Sequence, residues 1–236
     1  MKSNKKYIGI NQRVPFDVID QAINDFLVNG QVDNDRIFKH MLEFTKGENR
    51  AKKAASYVIK ILNSQSKLIH EFSKRIEKGF YLHLPEKERK VFVLCLISLT
   101  YPIMYELLVA IGKGLKAQDF VNKKFINEKI YTIFGSNRTV DVAIDAIIPM
   151  AIELNAIRRV KTSLYEKTQN INVTHQIISE LVLLVDLKGS GTKTLLFDDL
   201  EFRPWFSFFN LDLDQLQKPS ILKFQDGNFG RGYLSQ

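Results

Sequence analysis

The sequence predicts a mainly α-helical fold, a helical bundle followed by a smaller aromatic-rich carboxy-terminal portion able to hold short strands. Three observations predict it. From residue 17 to residue 187 apolar side chains recur every three or four positions, the period of a helix with one buried face. Gly, Asn and Pro punctuate that pattern where one helix must close and the next open. After Thr192 the pattern gives way to Phe202, Trp205, Phe206, Phe208 and Phe209, with prolines at 204 and 219.

Pro15 precedes a helix over 17–28, where Val18, Ala22 and Phe26 lie beside Ile19, Ile23 and Leu27, and Asn29-Gly30 closes it. Asp33 or Asn34 caps a shorter helix through Ile37, Met41 and Phe44, which Lys46-Gly47 breaks. A third helix, over 49–65, carries the stripe Ala51, Ala54, Ala55, Val58, Ile61 and Leu62. Ser66 caps a fourth, with Ile69, Phe72 and Ile76 inward and an end near Gly79. Leu84-Pro85-Glu86, with proline at the first helical position, opens a long helical region reaching about Gly112. It is almost wholly apolar from Val91 to Ile111, interrupted by Pro102 and Glu106.

Ala117 to Phe134 reads as a helix, Gly135-Ser136-Asn137 as a turn, and 139–155 as a further helix that Pro149 kinks or divides. Residues 158–165 read as extended, because Val160, Thr162 and Leu164 alternate with charged or polar side chains. Residues 174–187 read as a helix ended by Gly189-Ser190-Gly191. The chain divides on this reading into a basic helical domain over 1–114 and a second portion over 115–236, helical with a small β element and an aromatic tail. No internal repeat of solenoid period is visible.

Charge is unevenly spread. Residues 1–100 hold 18 Lys and Arg against 11 Asp and Glu, whereas residues 161–236 hold 8 against 9. A polyanion is therefore the first partner to consider for the amino-terminal half, the alternative being a lysine surface that is only solvated. The single cysteine, Cys95, sits in an apolar run, which excludes an intramolecular disulfide and a paired-thiolate zinc cluster. The first ten residues lack the apolar stretch of a secretory signal, so a reducing cytoplasm is the expected location.

The apolar run from Val91 to Ile111 has the length of a membrane span, but Ser98, Thr100, Pro102 and Glu106 would lie at depth. A buried helix, or helix pair, in the core of a soluble protein is expected instead, with no membrane partner. Leu187 to Thr194 superficially suggests a phosphate loop, yet Leu187 and Thr192 stand where the loop requires glycines, and a turn is expected there. His40, His70, His83 and His175 have no companions at metal-ligand spacing. Asp212 and Asp214 would share one strand face, where a solvated edge is expected rather than a cation site. No Gly-x-Ser-x-Gly elbow occurs. A protein without catalytic residues, metal or cofactor is the expectation.

The positive signal is a basic helix pair. Lys46, Arg50, Lys53, Tyr57 and Lys60 recur at three or four residues opposite the alanine-rich stripe, with Lys52 beside them, and such a row can follow a phosphate backbone. Lys67, Lys74, Arg75 and Lys78 extend it if the neighbouring helix packs antiparallel. A second candidate is the succession helix, turn, helix and basic extended piece ending in Arg158, Arg159 and Lys161, the order of a winged helix-turn-helix. The second helix of that succession offers Asp141 and Asp145, poor groove readers, so a helical hairpin packed in the core is preferred there. Duplex DNA bound without sequence preference is the expected partner, and a protein-binding scaffold that ignores nucleic acid is the alternative.

Three stretches carry a family resemblance: Asn49-Arg50-Ala51-Lys52-Lys53 leading into Val58-Ile59-Lys60-Ile61-Leu62, the apolar segment from Leu94 to Leu108, and Arg138 to Arg159 with Glu153-Leu154-Asn155-Ala156-Ile157 inside it. Over about residues 15–165 the chain resembles the BrxA family of BREX phage-resistance systems. That resemblance implies a helical fold similar to NusB-type proteins, DNA binding, and work beside a methyltransferase and other defence-system proteins. It assigns a role only to the basic positions near Arg50 and Lys53. The aromatic tail after Gly191 departs from the family pattern.

Overall fold

The computed structural model describes residues 7–76, 80–212, 216, 219, 221–226 and 232–235. Lys78, Gly79 and Asp214 lie outside the described residues. The described chain is mostly helical with a few small sheets.

Four helices come first: α1 (Phe16–Asn29), α2 (Asn34–Phe44), α3 (Glu48–Ser64) and α4 (Ser66–Ser73). Asp33 caps α2, its side chain accepting from Arg36 N. Gln65 alone separates α3 from α4, so Ser66 is the first residue of α4 and not its cap. The apolar stripes of α1, α2 and α3 face one another, and α4 packs against α1, where the His70 ring meets Phe26.

The apolar run forms two helices, α5 (Glu86–Thr100) and α6 (Pro102–Leu115), bent by 113°. Proline forbids its predecessor the helical region, and Tyr101 is accordingly extended at φ −126° and ψ 88°. Among the described residues no single helix is long and apolar enough to cross a membrane, although this bent pair has the composition. Ser98 and Glu106 are 4% and 8% exposed, so these two polar groups within the apolar run lie inside the protein.

After α6 come β1 (Val121–Asn122), α7 (Lys123–Phe134), α8 (Arg138–Glu153), β2 (Ile157–Lys161) and β3 (Leu164–Lys167). Residues 117–122 do not continue a helix. The Asn122 side chain accepts from Phe125 N, which fixes the start of α7, while Val121 is buried and pairs with Tyr165. The α8 helix runs through Pro149 undivided. The segment expected as one extended piece is a hairpin that turns at Thr162-Ser163, with Ser163 at φ 60°.

The remainder comprises β4 (Ile171–Val173), α9 (Gln176–Ser190), β5 (Thr194–Leu196), 3-10 helices at Phe197–Phe202 and Pro204–Phe208, β6 (Phe209–Leu211), β7 (Lys223–Gln225) and β8 (Tyr233–Ser235). The β4 and β6 strands pair in parallel, and β8 lies between β5 and β7. Trp205 is fully buried and donates from Nε1 to the Val182 carbonyl at 2.9 Å, which fastens the aromatic tail to α9. The tail also lies against α6, where a Cβ on Gly112 would come within 2.5 Å of the Pro204 carbonyl oxygen. Core residues from Ile10 to Leu234 form one cluster among the described residues.

Candidate nucleic-acid interface

The turn between α2 and α3 is only three residues, Thr45 to Gly47, so the two helices pack closely and α3 turns its opposite side to solvent. That open side carries Asn49, Arg50, Lys52, Lys53, Ser56, Lys60 and Asn63, all exposed. Lys46 is exposed in the turn itself. Lys46, Arg50 and Lys53 have no carboxylate partner among the described residues. Lys52 pairs with Glu48 at 2.5 Å, and this hydrogen bond holds the Glu48 carboxyl below its usual range.

Two members of the expected stripe are engaged elsewhere. Tyr57 is only 8% exposed, its hydroxyl donating to Asn11 Oδ1 at 2.5 Å and its ring meeting Tyr101 edge-on, so it does not belong to a phosphate-facing row. Burial raises its phenol pKa. The spacing was right for the stripe, but the segment before α1 folds over that position. Lys60 is exposed, yet its ammonium donates to Tyr7 Oη at 2.6 Å and sits 4.0 Å from the Tyr7 ring centre.

On α4 and just beyond its end, Lys67, Lys74 and Arg75 are exposed. Lys74 pairs with Glu71 at 2.6 Å, and Arg75 adds its charge beside the same carboxylate, leaving Lys67 as the cation there without a carboxylate partner among the described residues.

The second candidate takes a form the sequence did not favour. β1 pairs with β3 and β3 with β2, giving a three-stranded antiparallel sheet in the order β1-β3-β2. With α6 ahead of β1, and α7 and α8 between β1 and β2, this is the topology of a winged helix, the β2–β3 hairpin being the wing. The core hairpin preferred from sequence is thus one part of a larger motif, missed because the two-residue β1 carries almost no strand signal.

The acids that counted against α8 have partners: Lys123 Nζ holds the Asp145 carboxylate, and Tyr131 Oη donates to Asp141. Asn137 caps α8 by accepting from Thr139 N and Val140 N, and Ser136 to Thr139 are exposed. Beyond Asp145 the helix is mostly buried.

On the wing, Arg158, Arg159 and Lys161 are all exposed. Arg158 pairs with Glu166 at 2.6 Å, Arg159 lies 5.7 Å from the Tyr165 ring centre, and Lys161 has no carboxylate partner among the described residues. The backbone of Lys123 donates to Ser163 O at 2.8 Å, which ties the hairpin turn to the start of α7.

An extended segment before α1 joins the two candidates. Asn11 meets Tyr57 of α3, Arg13 pairs with Glu153 of α8 at 2.9 Å, and Phe16 N donates to Glu153 Oε1 at 3.1 Å.

The remaining features have structural explanations. In the glycine-rich stretch, Gly189 lies within α9, where a Cβ would come 2.5 Å from the Tyr105 ring, and Gly191 caps the helix at φ 74°. Asp212 is not in a strand. No group of three or more His, Cys, Asp or Glu placed to hold a metal occurs among the described residues. A cleft of about 820 Å³ between the wing and residues 168–172 mixes Lys87, Arg158 and Lys167 with Asp119 and Glu166, so its charge favours neither sign. No family model, curated protein or solved structure matches the chain.

Proposed function

We propose that this chain binds duplex DNA without catalysing a reaction on it, as a cytoplasmic component of a BREX-type phage-defence system acting beside other defence proteins. The observation that carries the reading is the β1-β3-β2 sheet around α7 and α8 with a cationic hairpin, an arrangement that presents a helix and a wing to a duplex. The open cationic side of α3 adds phosphate contacts. Exposed Lys46, Arg50, Lys53, Lys67 and Lys161 face solvent without carboxylate partners among the described residues, the condition under which neutralising phosphates releases counterions.

With so few base-reading side chains on α8, contacts to phosphate dominate and sequence preference is weak. The mostly helical body supports the BrxA resemblance and the NusB-type arrangement that it implies. The reading assigns no catalytic residue, cofactor or membrane contact. Mobility shift on a random-sequence duplex across a salt series tests it. Affinity should fall by orders of magnitude between roughly 50 and 200 mM salt, as expected for six or more phosphate contacts. A flat response would give way to the protein-scaffold reading, which the exposed Leu196 and Phe202 of the tail favour.

A further inference from the structure

The sheet formed by β5, β8 and β7 ends at β5, which among the described residues has a strand on one side only. Its register shows which groups the open side presents. Phe197 N donates to Gly232 O at 3.2 Å, just past the pairing of Leu196 with Tyr233, so the main chain of Phe197 faces β8. In an antiparallel ladder, hydrogen-bonded and non-hydrogen-bonded pairs alternate. Leu195 therefore also turns its N–H and C=O toward β8. Those of Thr194 and Leu196 point the other way, where no hydrogen bond to a described residue satisfies them.

The side chains along this edge have a consistent chemistry. Leu195 is buried, whereas Leu196 is 49% exposed and sets an apolar group on the rim. Farther along, Phe202 is 66% exposed, more than any other large apolar side chain among the described residues. Between them Asp199 and Glu201 are exposed and form no ion pair among the described residues, on a chain whose net charge is +8. The frame beneath is packed: Phe197 stacks on Phe224 of β7 at 5.7 Å between ring centres, and Lys116 Nζ donates to Phe202 O.

An open strand edge accepts a further strand, the main chain supplying affinity and the flanking side chains specificity. Charge decides which strand. A second β5 would bring the acids of both copies to one edge, where like charges repel. A segment bearing lysine or arginine is attracted instead, with its apolar residues against Leu196 and Phe202. Asp199 follows Leu196 within about 11 Å along the chain, so a cation one or two positions beyond the paired residues reaches it.

We infer that β5 is a docking edge for an extended, basic segment of another protein, which joins the sheet as an added strand beside Thr194–Leu196 and engages Leu196, Asp199, Glu201 and Phe202. The inference is independent of duplex binding.

The probe is a peptide of about eight residues alternating valine and lysine, blocked at both ends, with binding read by fluorescence anisotropy of an attached dye. Its positive charge keeps it from adhering to the rest of a basic chain. The intact chain should bind it about ten-fold more tightly than a valine–glutamate peptide of equal length, and Asp199→Lys with Glu201→Lys should abolish that preference. Methylating every peptide nitrogen removes the main-chain donors without altering the protein or the charges, and should weaken binding about ten-fold. Trp205 emission and helical content check that the variants keep the fold. Equal binding of the methylated peptide would overturn strand addition, and no binding of the valine–lysine peptide at about 1 mM would overturn the docking edge altogether. Self-association of the chain without peptide, reversed by Leu196→Glu, would give the edge to a second copy and equally overturn the inference.

Discussion

Lys123, the first residue of α7, holds the carboxylate of Asp145, the exposed acid on α8, across the helix-turn-helix angle. On the DNA-binding reading, the pair occupies a cation that a duplex would otherwise engage and leaves a negative group on the helix that would face it. Asp145→Asn removes the charge, keeps the shape and frees Lys123. Duplex affinity should rise about two- to three-fold and the salt dependence should steepen by about one counterion. Unchanged affinity with unchanged slope would place α8 away from the phosphates.

Tyr57 and its neighbours on α3 separate packing from binding. Arg50→Ala and Lys53→Ala should each weaken binding similarly on any sequence and reduce the salt slope by about one. Tyr57→Phe should leave the slope as it is while lowering stability by about 1 kcal/mol, through loss of the hydrogen bond to Asn11. Denaturant unfolding beside a salt titration reads both quantities, and a slope change in Tyr57→Phe would return that residue to the interface.

The helical body was legible because its signals are local. Pro15, Asp33 and Pro102 act on the backbone within a residue or two, and α1, α2, α3 and the α5–α6 break lie close to where these residues put them. Two exposed cations of α3, Arg50 and Lys53, follow from helical spacing alone. What the spacing could not show depends on distant chain: Tyr57 is covered by Asn11, and β1 exists because Val121 finds Tyr165. Gly189 marks a close approach by Tyr105 from α6, where its neighbours in sequence suggested a turn.

Asp186 pins the tail to the helical body. It is 2% exposed, accepts from Tyr105 Oη at 2.8 Å and pairs with Arg203, so three elements meet on one buried carboxylate. Burial, then the adjacent carboxylate, pushes the Tyr105 phenol far above its usual range and keeps it a donor. Asp186→Ala should lower stability by roughly 3–5 kcal/mol, because Arg203 is left without its buried partner. Trp205 is the only tryptophan, so its emission reports the tail directly. A loss under about 1 kcal/mol would mean that the tail is held by its aromatics alone.

His175 gives the fold an acid sensitivity with a definite sign. The ring lies against Phe72, its Nδ1 is buried without a partner among the described residues, and burial lowers its pKa although Glu88 works in the opposite direction. Above the ordinary histidine range both folded and unfolded forms are neutral, and the group adds no pH dependence. As pH falls through that range the unfolded chain takes up a proton before the folded one, so stability must fall until the lower folded pKa is passed. Asp20 contributes with the opposite sign, since burial raises its carboxyl and favours the folded form as pH falls, but it is common to wild type and variant. His175→Asn keeps a residue suited to the start of α9 and removes the titration. The drop in urea midpoint between pH 7.5 and pH 5.5 should therefore be smaller in the variant than in wild type, and an equal drop in both would assign the acid sensitivity to groups other than His175.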